Sequence, residues 1–569
     1  MASSFFIKVV VGFKSNPRQF CVDAATTATA HGLAAQAPVW SRESIYAQAR
    51  EYGSGRFRTA RRGEKKHVAS TPSASQTLKS PATVYANTPI PYSVVVVSLL
   101  VVLIALLYEV RQLCLNNNIL LASLNATTKT TDEFKPIVWV YSKGSDQSHL
   151  RHVIESFRRY GYRLGERADR WSVLWSHDYP FTELASDMRE LKPGQVVNHF
   201  PGSGYITNKA SLSTDRSIRE LPLTFRLPAQ KEEFLRNVEE RPSAMWVQKN
   251  RDHRGIHVVD PVEVAAAADE EETFVQELIA NPLLVDGKKF DIGVYVAMTS
   301  LEPLRVYVYT GDVLLRFCAR PYNALQFNAS DLDSYVVGDD YTPIWDIPSL
   351  ARYYAGAQLS MKASLDVYLR TQLGAASDAL WAEVERIVAS VYTRKAEAMR
   401  RSAARWPRVG RFFELVRFDF VLDDALGVHL LEANMSPNLS SAHFAANGPF
   451  YEQLLFSLFS LVGLGTSHSA DAWRFLDRAT SVLPSDCPVQ PEQHRCEQPA
   501  SLCAASCLST AHKQAFREAL WEHLHRKQFA RLVPSPDASV EPEANMTEAD
   551  RIMAQWFAAK CTQDTEWCR

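Results

Sequence analysis

Two apolar segments close together in the chain each carry acidic residues where a sheet would bury them. The segments are FELVRFDFVL, residues 413–422, and VHLLEANM, residues 428–435. Between them lies the polar stretch DDALG, residues 423–427. Polar residues and a late glycine between two apolar runs predict a β-hairpin. The chain is therefore expected to fold around an antiparallel sheet that contains this hairpin.

The register of this hairpin predicts a metal site. If Asp423 pairs with Val428, Asp419 lies directly opposite Glu432, with about 5 Å between the Cβ atoms. Asn434 shares the face of Glu432 because side chains alternate along a strand. Three oxygen donors then converge, as Mg²⁺ prefers. The alternative is a polar stripe facing solvent, and the apolar residues on both strand faces weigh against it.

A second group of charged residues suits a nucleotide. Lys289 and Asp291 share one face of a predicted strand, Arg316 lies near the end of a following strand, and Lys249 ends an earlier one. Lysine and arginine beside carboxylate-bound Mg²⁺ would suit a nucleoside triphosphate. Each cation taken alone is more often a surface residue, so the prediction depends on their grouping on apolar strands.

Periodicity and turn residues indicate an α+β protein with antiparallel sheets, in a domain that spans residues 135–465. Strands are predicted at 136–141, 244–249, 274–278, 290–299, 304–309, 313–317, 413–422 and 428–434. Helices are predicted at 148–160, 365–373, 379–399 and 451–461.

The region before this domain is predicted to be a basic tail, residues 1–89, a single transmembrane helix, residues 90–108, and a linker, residues 109–134. Residues 1–92 contain twelve Lys or Arg against four Asp or Glu. The uncharged, mostly apolar stretch that follows is long enough to span a bilayer. The positive-inside rule then places the tail in the cytosol and the domain in the lumen of the endomembrane system.

The C-terminal region, residues 466–569, is rich in cysteine. It holds six of the nine cysteines of the chain, which are Cys487, Cys496, Cys503, Cys507, Cys561 and Cys568. An even number in so short a region suggests three disulfides and an oxidising compartment, with the pairing left open. A zinc site is less well supported because no C-x-x-C pair is present. The net charge of −1 gives no reason to expect nucleic acid as a partner.

Four segments carry a resemblance to a known family. They are NHFPG, LPLTFRLP, VQELIANPLLVDGKKFDIGVYVAMTSLEPLRVYVYTGDVLLRFCARPY and FELVRFDFVLDDALGVHLLEANMSPNLS. Their order and spacing, over about residues 137–460, closely resemble the tubulin tyrosine ligase-like family, of the polyglutamylase type. The resemblance implies an ATP-grasp fold that uses ATP and Mg²⁺ to activate a protein carboxylate as an acyl phosphate. An amino acid, here expected to be Glu, then attacks it, and tubulin or another acidic protein is the expected acceptor.

The resemblance also implies roles for individual residues. Lys289 and Arg316 would be catalytic, with Arg316 holding a carboxylate. The nucleotide would contact Lys249, Gln276, Glu277, Leu278, Ile279, Lys289 and Asp291, and Mg²⁺ would be bound by Asp419, Glu432 and Asn434.

Several positions depart from the family pattern. The loop KNRDHRGIH is short and has one glycine, Gly255, and Gly293 stands where the family has an Arg expected to help bind substrate. The family's HLTN block is not recognisable after RPY. His253 and His257 are spaced like a metal pair, but no third ligand accompanies them. These departures leave open a second hypothesis. The protein would then be a lumenal ATP-grasp pseudoenzyme that binds nucleotide or a protein partner and does not catalyse ligation of an amino acid.

Overall fold

The computed structural model describes residues 135–144, 146–249, 256–259, 273–323, 331–407, 409–464, 479–482, 502, 508–535 and 546–568, with backbone only at 249 and 256–259. All of them belong to the second of two units of the chain, Phe134–Arg569. The predicted tail, transmembrane helix and linker lie outside these residues. Within the described part of the chain, no helix combines the length and the apolar character that crossing a membrane requires.

Seventeen strands and twelve α-helices are described. The strands are β1 Ile137–Tyr141, β2 Arg163–Gly165, β3 Val173–Ser176, β4 Val196–Val197, β5 Thr224–Leu227, β6 Trp246–Lys249, β7 Ile256–Val259, β8 Thr273–Glu277, β9 Leu284–Val285, β10 Lys288–Leu301, β11 Leu304–Tyr309, β12 Leu314–Phe317, β13 Thr342–Pro343, β14 Arg411–Phe412, β15 Glu414–Leu422, β16 Val428–Met435 and β17 Phe529–Val533. The helices are α1 Arg151–Arg159, α2 Pro180–Glu183, α3 Ala185–Arg189, α4 Gly204–Thr207, α5 Lys209–Ser213, α6 Lys231–Glu240, α7 Pro348–Ala351, α8 Met361–Gln372, α9 Asp378–Ala403, α10 Gly448–Leu461, α11 Thr510–His525 and α12 Glu548–Gln563.

The first sheet is parallel, in the order β14-β4-β3-β1-β2. β1 pairs with β2 and with β3 in parallel, and β3 pairs with β4 in the same sense. The expectation of antiparallel sheets throughout was therefore wrong for this layer. The reason lies in the connection: α1 follows β1 and returns the chain to the same end, as a parallel pair requires. Its inner strands β1, β3 and β4 are largely apolar and buried, as is typical of a parallel sheet.

A second, small antiparallel sheet has the order β5-β8-β6-β7. Helix α6 packs on it through Phe234, whose ring contacts those of Phe225 and Trp246 at centroid distances of 5.5 and 5.0 Å. This aromatic cluster is buried. It attaches the helix to the sheet that carries Lys249 and Gln276, two of the predicted nucleotide residues.

The third sheet has eight strands and forms the centre of the molecule. Its longest strand, β10, pairs with β12 and β11 along one edge and with β15 along the other, all antiparallel. β16 extends the sheet beyond β15. The 26-residue helix α9 covers one face and buries Leu380, Val384, Ile387 and Val391, which recur at helical spacing. The opposite face is left to carry the polar residues described below.

The C-terminal residues join this central sheet. β17 pairs antiparallel with β11. Helices α11 and α12 pack together through Phe516 and Trp556, whose rings stack at 5.2 Å. A disulfide joins Cys561 to Cys568. The other four C-terminal cysteines lie outside the described residues, so the expectation of three disulfides stays a prediction.

Candidate active site on the central sheet

The predicted hairpin forms, with Asp419 directly opposite Glu432 and Arg417 opposite Asn434. The register at the turn differs from the prediction, because Leu422 and not Asp423 pairs with Val428. Further along the pairing of β15 with β16, a β-bulge shifts the register by one residue and so cancels this error. The predicted pairing at the site was therefore correct, although the path that led to it was wrong.

The bulge lies at Leu431, since Phe420 pairs with Leu430 and Asp419 with Glu432. Without the extra residue, Glu432 would face the same side as Phe418, toward helix α9. The doubled leucine in VHLLEANM is the local sign of this slip, because it breaks the alternation of apolar and polar residues. The bulge thus brings Glu432 and Asn434 onto the face of Asp419.

Asp419 is the centre of the site and is 1% exposed. Arg417 donates to both carboxylate oxygens, at 2.6 and 2.9 Å. Arg316 donates to Oδ2 at 3.0 Å, and the amide of Asn434 to the same oxygen at 2.8 Å. Such charge-assisted bonds stabilise an ionised carboxylate in a buried position.

Glu432 lies next to this group. The Asn434 amide also donates to Glu432 Oε1 at 3.0 Å, and Lys209 Nζ lies 3.3 Å from Oε2. The side-chain amide of Asn434 therefore donates to both Asp419 and Glu432, the two carboxylates predicted to bind Mg²⁺. Two carboxylates and an amide on one face are the residue types that supply oxygen donors to Mg²⁺, and here it is the amide nitrogen of Asn434 that faces both carboxylates.

Arg316 connects Asp419 to a third carboxylate. Its Nε and one terminal nitrogen donate to the two oxygens of Asp291, at 2.9 and 2.7 Å. The two residues are paired across β10 and β12. Burial raises the pKa of Asp291 to about 6, and the charge of Arg316 opposes that rise. Three carboxylates (Asp291, Asp419 and Glu432) thus face three cations (Lys209, Arg316 and Arg417), and their formal charges balance.

Lys289 lies on the same strand as Asp291, but its ammonium group is engaged elsewhere. Nζ donates to the carbonyl of Tyr335 at 2.8 Å, and the side chain is buried. Burial lowers its pKa. The structure therefore shows Lys289 supporting the segment around Tyr335.

The predicted nucleotide residues on β8 are also bonded within the protein. The amides of Glu277 and Leu278 donate to the carbonyls of Leu223 and Met245, both at 2.8 Å. The Glu277 carboxylate accepts two bonds from Arg241, both at 2.9 Å. Gln276 is buried and donates to Thr224 at 3.3 Å. In this conformation the amides of Glu277 and Leu278 are therefore engaged before any nucleotide arrives.

A cavity of about 780 Å³ opens over the polar face of the central sheet. Arg316, Arg417 and Asn434 line its floor, and Lys209 and residues near Tyr179 line its walls. Its volume suits a small organic ligand. Sequence reasoning missed Arg417, although its position two residues before Asp419 places it on the same face. It also missed Lys209, for which the sequence has no local signal.

Comparison with known proteins places the domain in a known family. The chain matches the Tubulin-tyrosine ligase family over residues 186–470, and its mixed α/β content fits an ATP-grasp-like fold. This match includes the hairpin and the strands that carry Asp291 and Arg316.

Three relatives are named as tubulin polyglutamylases, one of them as a probable one. The probable tubulin polyglutamylase ttll-15 of Caenorhabditis elegans is 36% identical over 466 residues, which is 78% of this chain and 89% of that protein. Tubulin polyglutamylase TTLL5 of Mus musculus is 32% identical over 294 residues, which is 48% of this chain and 21% of that protein. Tubulin polyglutamylase TTLL13 of Homo sapiens is 25% identical over 413 residues, which is 67% of this chain and 48% of that protein. With its matching domain and these relatives, the chain belongs to the tubulin-tyrosine ligase family.

Proposed function

We propose that this chain is an ATP- and Mg²⁺-dependent ligase that adds an amino acid, glutamate, to a carboxylate of a protein acceptor through an acyl phosphate. The observation that carries the proposal is the buried Asp419, with Glu432 beside it and with Arg316, Arg417 and Asn434 bonded to it, these last three lining a cavity of about 780 Å³. Family membership and the polyglutamylase relatives support this reaction class.

Each residue of the site has a proposed role that follows from the chemistry of its side chain. Asp419, Glu432 and Asn434 would hold Mg²⁺, which when bound supplies positive charge to the transferring phosphoryl group. Arg316 presents a planar fork that suits a carboxylate or phosphate. Lys209 places a further positive charge at the cavity wall.

The acceptor and the compartment belong to this proposal as well. The names of the relatives favour tubulin or another acidic protein as acceptor. We propose that residues 90–108 anchor the chain in a membrane, with the basic tail on the cytosolic side. Glycosylation of the ligase-like domain would then make tubulin an unsuitable acceptor and favour a lumenal protein.

The first test is calorimetric titration of the purified full-length chain with MgATP. The matched variants are Asp419→Asn combined with Glu432→Gln, and Asp424→Asn, an exposed residue in the turn of the same hairpin. The double variant is expected to bind MgATP at least about tenfold more weakly, a loss of about 1.4 kcal/mol, while the turn variant binds like the wild type. ATP-dependent incorporation of labelled glutamate into tubulin then tests the ligation step.

One observation favours the second candidate function, a pseudoenzyme that binds nucleotide or a partner without ligating. The Asp419 carboxylate is saturated by three donor side chains, and the charges around it balance. MgATP binding without glutamate incorporation into any acidic acceptor would support a nucleotide-binding pseudoenzyme. A folded wild-type chain that does not bind MgATP would contradict the ligase and leave partner binding.

A further inference from the structure

Gly293 makes room for a side chain from the neighbouring strand. It lies in β10 directly opposite Asp419 of β15. A Cβ atom at position 293 would lie 2.8 Å from Cδ and 3.3 Å from Nε of Arg417. Such distances are below normal van der Waals contact, so any larger residue would displace Arg417. Arg417 can keep this position only because residue 293 has no side chain.

Arg417 is a buried arginine that pairs with Asp419 and also lies in the lining of the cavity. β15 is buried along its whole length and carries this guanidinium at 7% exposure. The guanidinium lies at the floor of the cavity beside Arg316. A buried charge on a central strand is costly unless it is paired, and replacing such pairs by apolar residues often stabilises a fold. The charge of Arg417 is paired with Asp419, and an apolar pair could take the place of both in the fold alone, so an arginine in the cavity lining points to a ligand.

Asp419 does not depend on Arg417 alone. It also accepts hydrogen bonds from Arg316 at 3.0 Å and from Asn434 at 2.8 Å. Arg417 can therefore turn from the carboxylate toward a bound anion without leaving Asp419 unpaired. Position 293 is also where the family resemblance implies an arginine that helps to bind substrate.

We propose that Arg417 is a substrate-binding residue and supplies, from the adjacent strand, the guanidinium that position 293 lacks. Its ligand is an anionic oxygen group, either a phosphate of the nucleotide or the carboxylate of the amino acid. Gly293 and Arg417 then form an exchanged pair, in which the arginine lies on β15 and the glycine on β10 keeps its place open. This inference rests on the proposed ligase function.

The test is an exchange experiment on the full-length chain, with Arg417→Gly, Gly293→Arg and the double variant. Arg417→Gly is expected to lower kcat/KM by about 100-fold, as loss of a bidentate contact to the reacting substrate would. Gly293→Arg should also be impaired, because its side chain collides with Arg417. The double variant is expected to recover to within about tenfold of the wild type, which would be strong coupling between neighbouring positions.

Arg417→Lys is the conservative variant, should the exchange variant fail to fold. It keeps the charge but loses the planar fork, so kcat/KM should fall by about tenfold. The affinity for MgATP and the KM for glutamate identify the ligand. A weaker MgATP affinity indicates phosphate, and a raised KM for glutamate with unchanged MgATP affinity indicates the amino-acid carboxylate.

The experiment distinguishes failure of the role proposed for Arg417 from failure of the proposed ligase function. An active wild type, with Arg417→Gly and Arg417→Lys matching it in kcat/KM and MgATP affinity, overturns the role of Arg417 alone. A folded wild type that neither binds MgATP nor transfers glutamate overturns the proposed function and, with it, this inference. A folded double variant no more active than Arg417→Gly contradicts the exchanged pair.

Discussion

At the scale of single residues, one guanidinium holds two buried carboxylates in place. Arg316 donates two bonds to Asp291, and one of the same nitrogens also reaches Asp419. Each carboxylate would repel the other without this shared cation. The geometry of the fork matters, because a single ammonium group cannot make parallel bonds to one carboxylate and reach a second.

Arg316→Lys therefore tests geometry separately from charge. We expect kcat/KM for glutamate transfer to fall by about tenfold or more, while the free energy of unfolding falls by about 1 kcal/mol. Arg320→Lys is the matched control, since Arg320 is exposed and forms a surface pair with Asp331 at 3.2 Å. Equal kinetics for the two variants would show that the fork is not used in catalysis.

The strand period predicted which site residues share a face within one strand, while the pairing of Asp419 with Glu432 was predicted correctly only because the bulge at Leu431 cancels the one-residue error at the turn. Asp291, Arg316, Asp419, Glu432 and Asn434 were predicted, and all lie on one face of the central sheet. The ammonium group of Lys289 reaches Tyr335 instead of the cavity, because a long flexible side chain is not placed by the strand period. The assigned roles of these residues stay predictions until nucleotide binding is measured.

At the scale of elements, the C-terminal helix α11 buries a histidine whose charge depends on pH. The His523 ring stacks on Trp567 at a centroid distance of 3.6 Å, and Arg526 donates to it. Burial, and then the charge of Arg526, lower the pKa of His523 to about 3. The folded chain therefore favours the neutral ring, whereas the unfolded chain binds a proton below its ordinary pKa of 6.5.

The stability of the domain should depend on this difference. Above pH 6.5 the His523 ring is neutral in the folded and the unfolded chain, so it does not lower the free energy of unfolding. As the pH falls from 6.5 toward 3, the unfolded chain binds a proton that the folded chain does not, and the free energy of unfolding decreases. Urea unfolding at pH 7 and pH 5 should show a loss of about 1 kcal/mol from this residue, after allowance for solvent screening. His523→Phe keeps the stacking and removes the titration, so its loss should be smaller. An identical loss in both proteins would assign the pH dependence to other groups.

At the scale of the whole molecule, a buried ion pair connects helix α11 to the central sheet. Arg305 on β11 is 1% exposed and donates to Glu522 of α11 at 2.8 and 3.1 Å. Tyr307 donates to the same carboxylate, and Glu518 accepts a further bond from Arg305. Together with the pairing of β17 and β11, this network makes the C-terminal residues part of the sheet that holds the site.

Glu522→Gln should destabilise the whole domain. It leaves the Arg305 charge buried with only Glu518 to balance it, so we expect a loss of about 3 kcal/mol in the free energy of unfolding. Glu397→Gln is the control, because its pair with Arg401 is exposed and should contribute less than about 1 kcal/mol. Two separate unfolding transitions for wild-type protein would show instead that the C-terminal helices fold independently.

The sequence by itself determined the hairpin, the polar residues that share a face within each strand and the family, because strand period and motif order are local properties of the chain, whereas the shared face of Asp419 and Glu432 also depends on the β-bulge at Leu431. Only the tertiary structure decided the parallel first sheet, the approach of Lys209 to Glu432 and the space that Gly293 leaves for Arg417. These depend on contacts between residues distant in sequence. Such contacts are set by how the layers pack, and no local pattern records them.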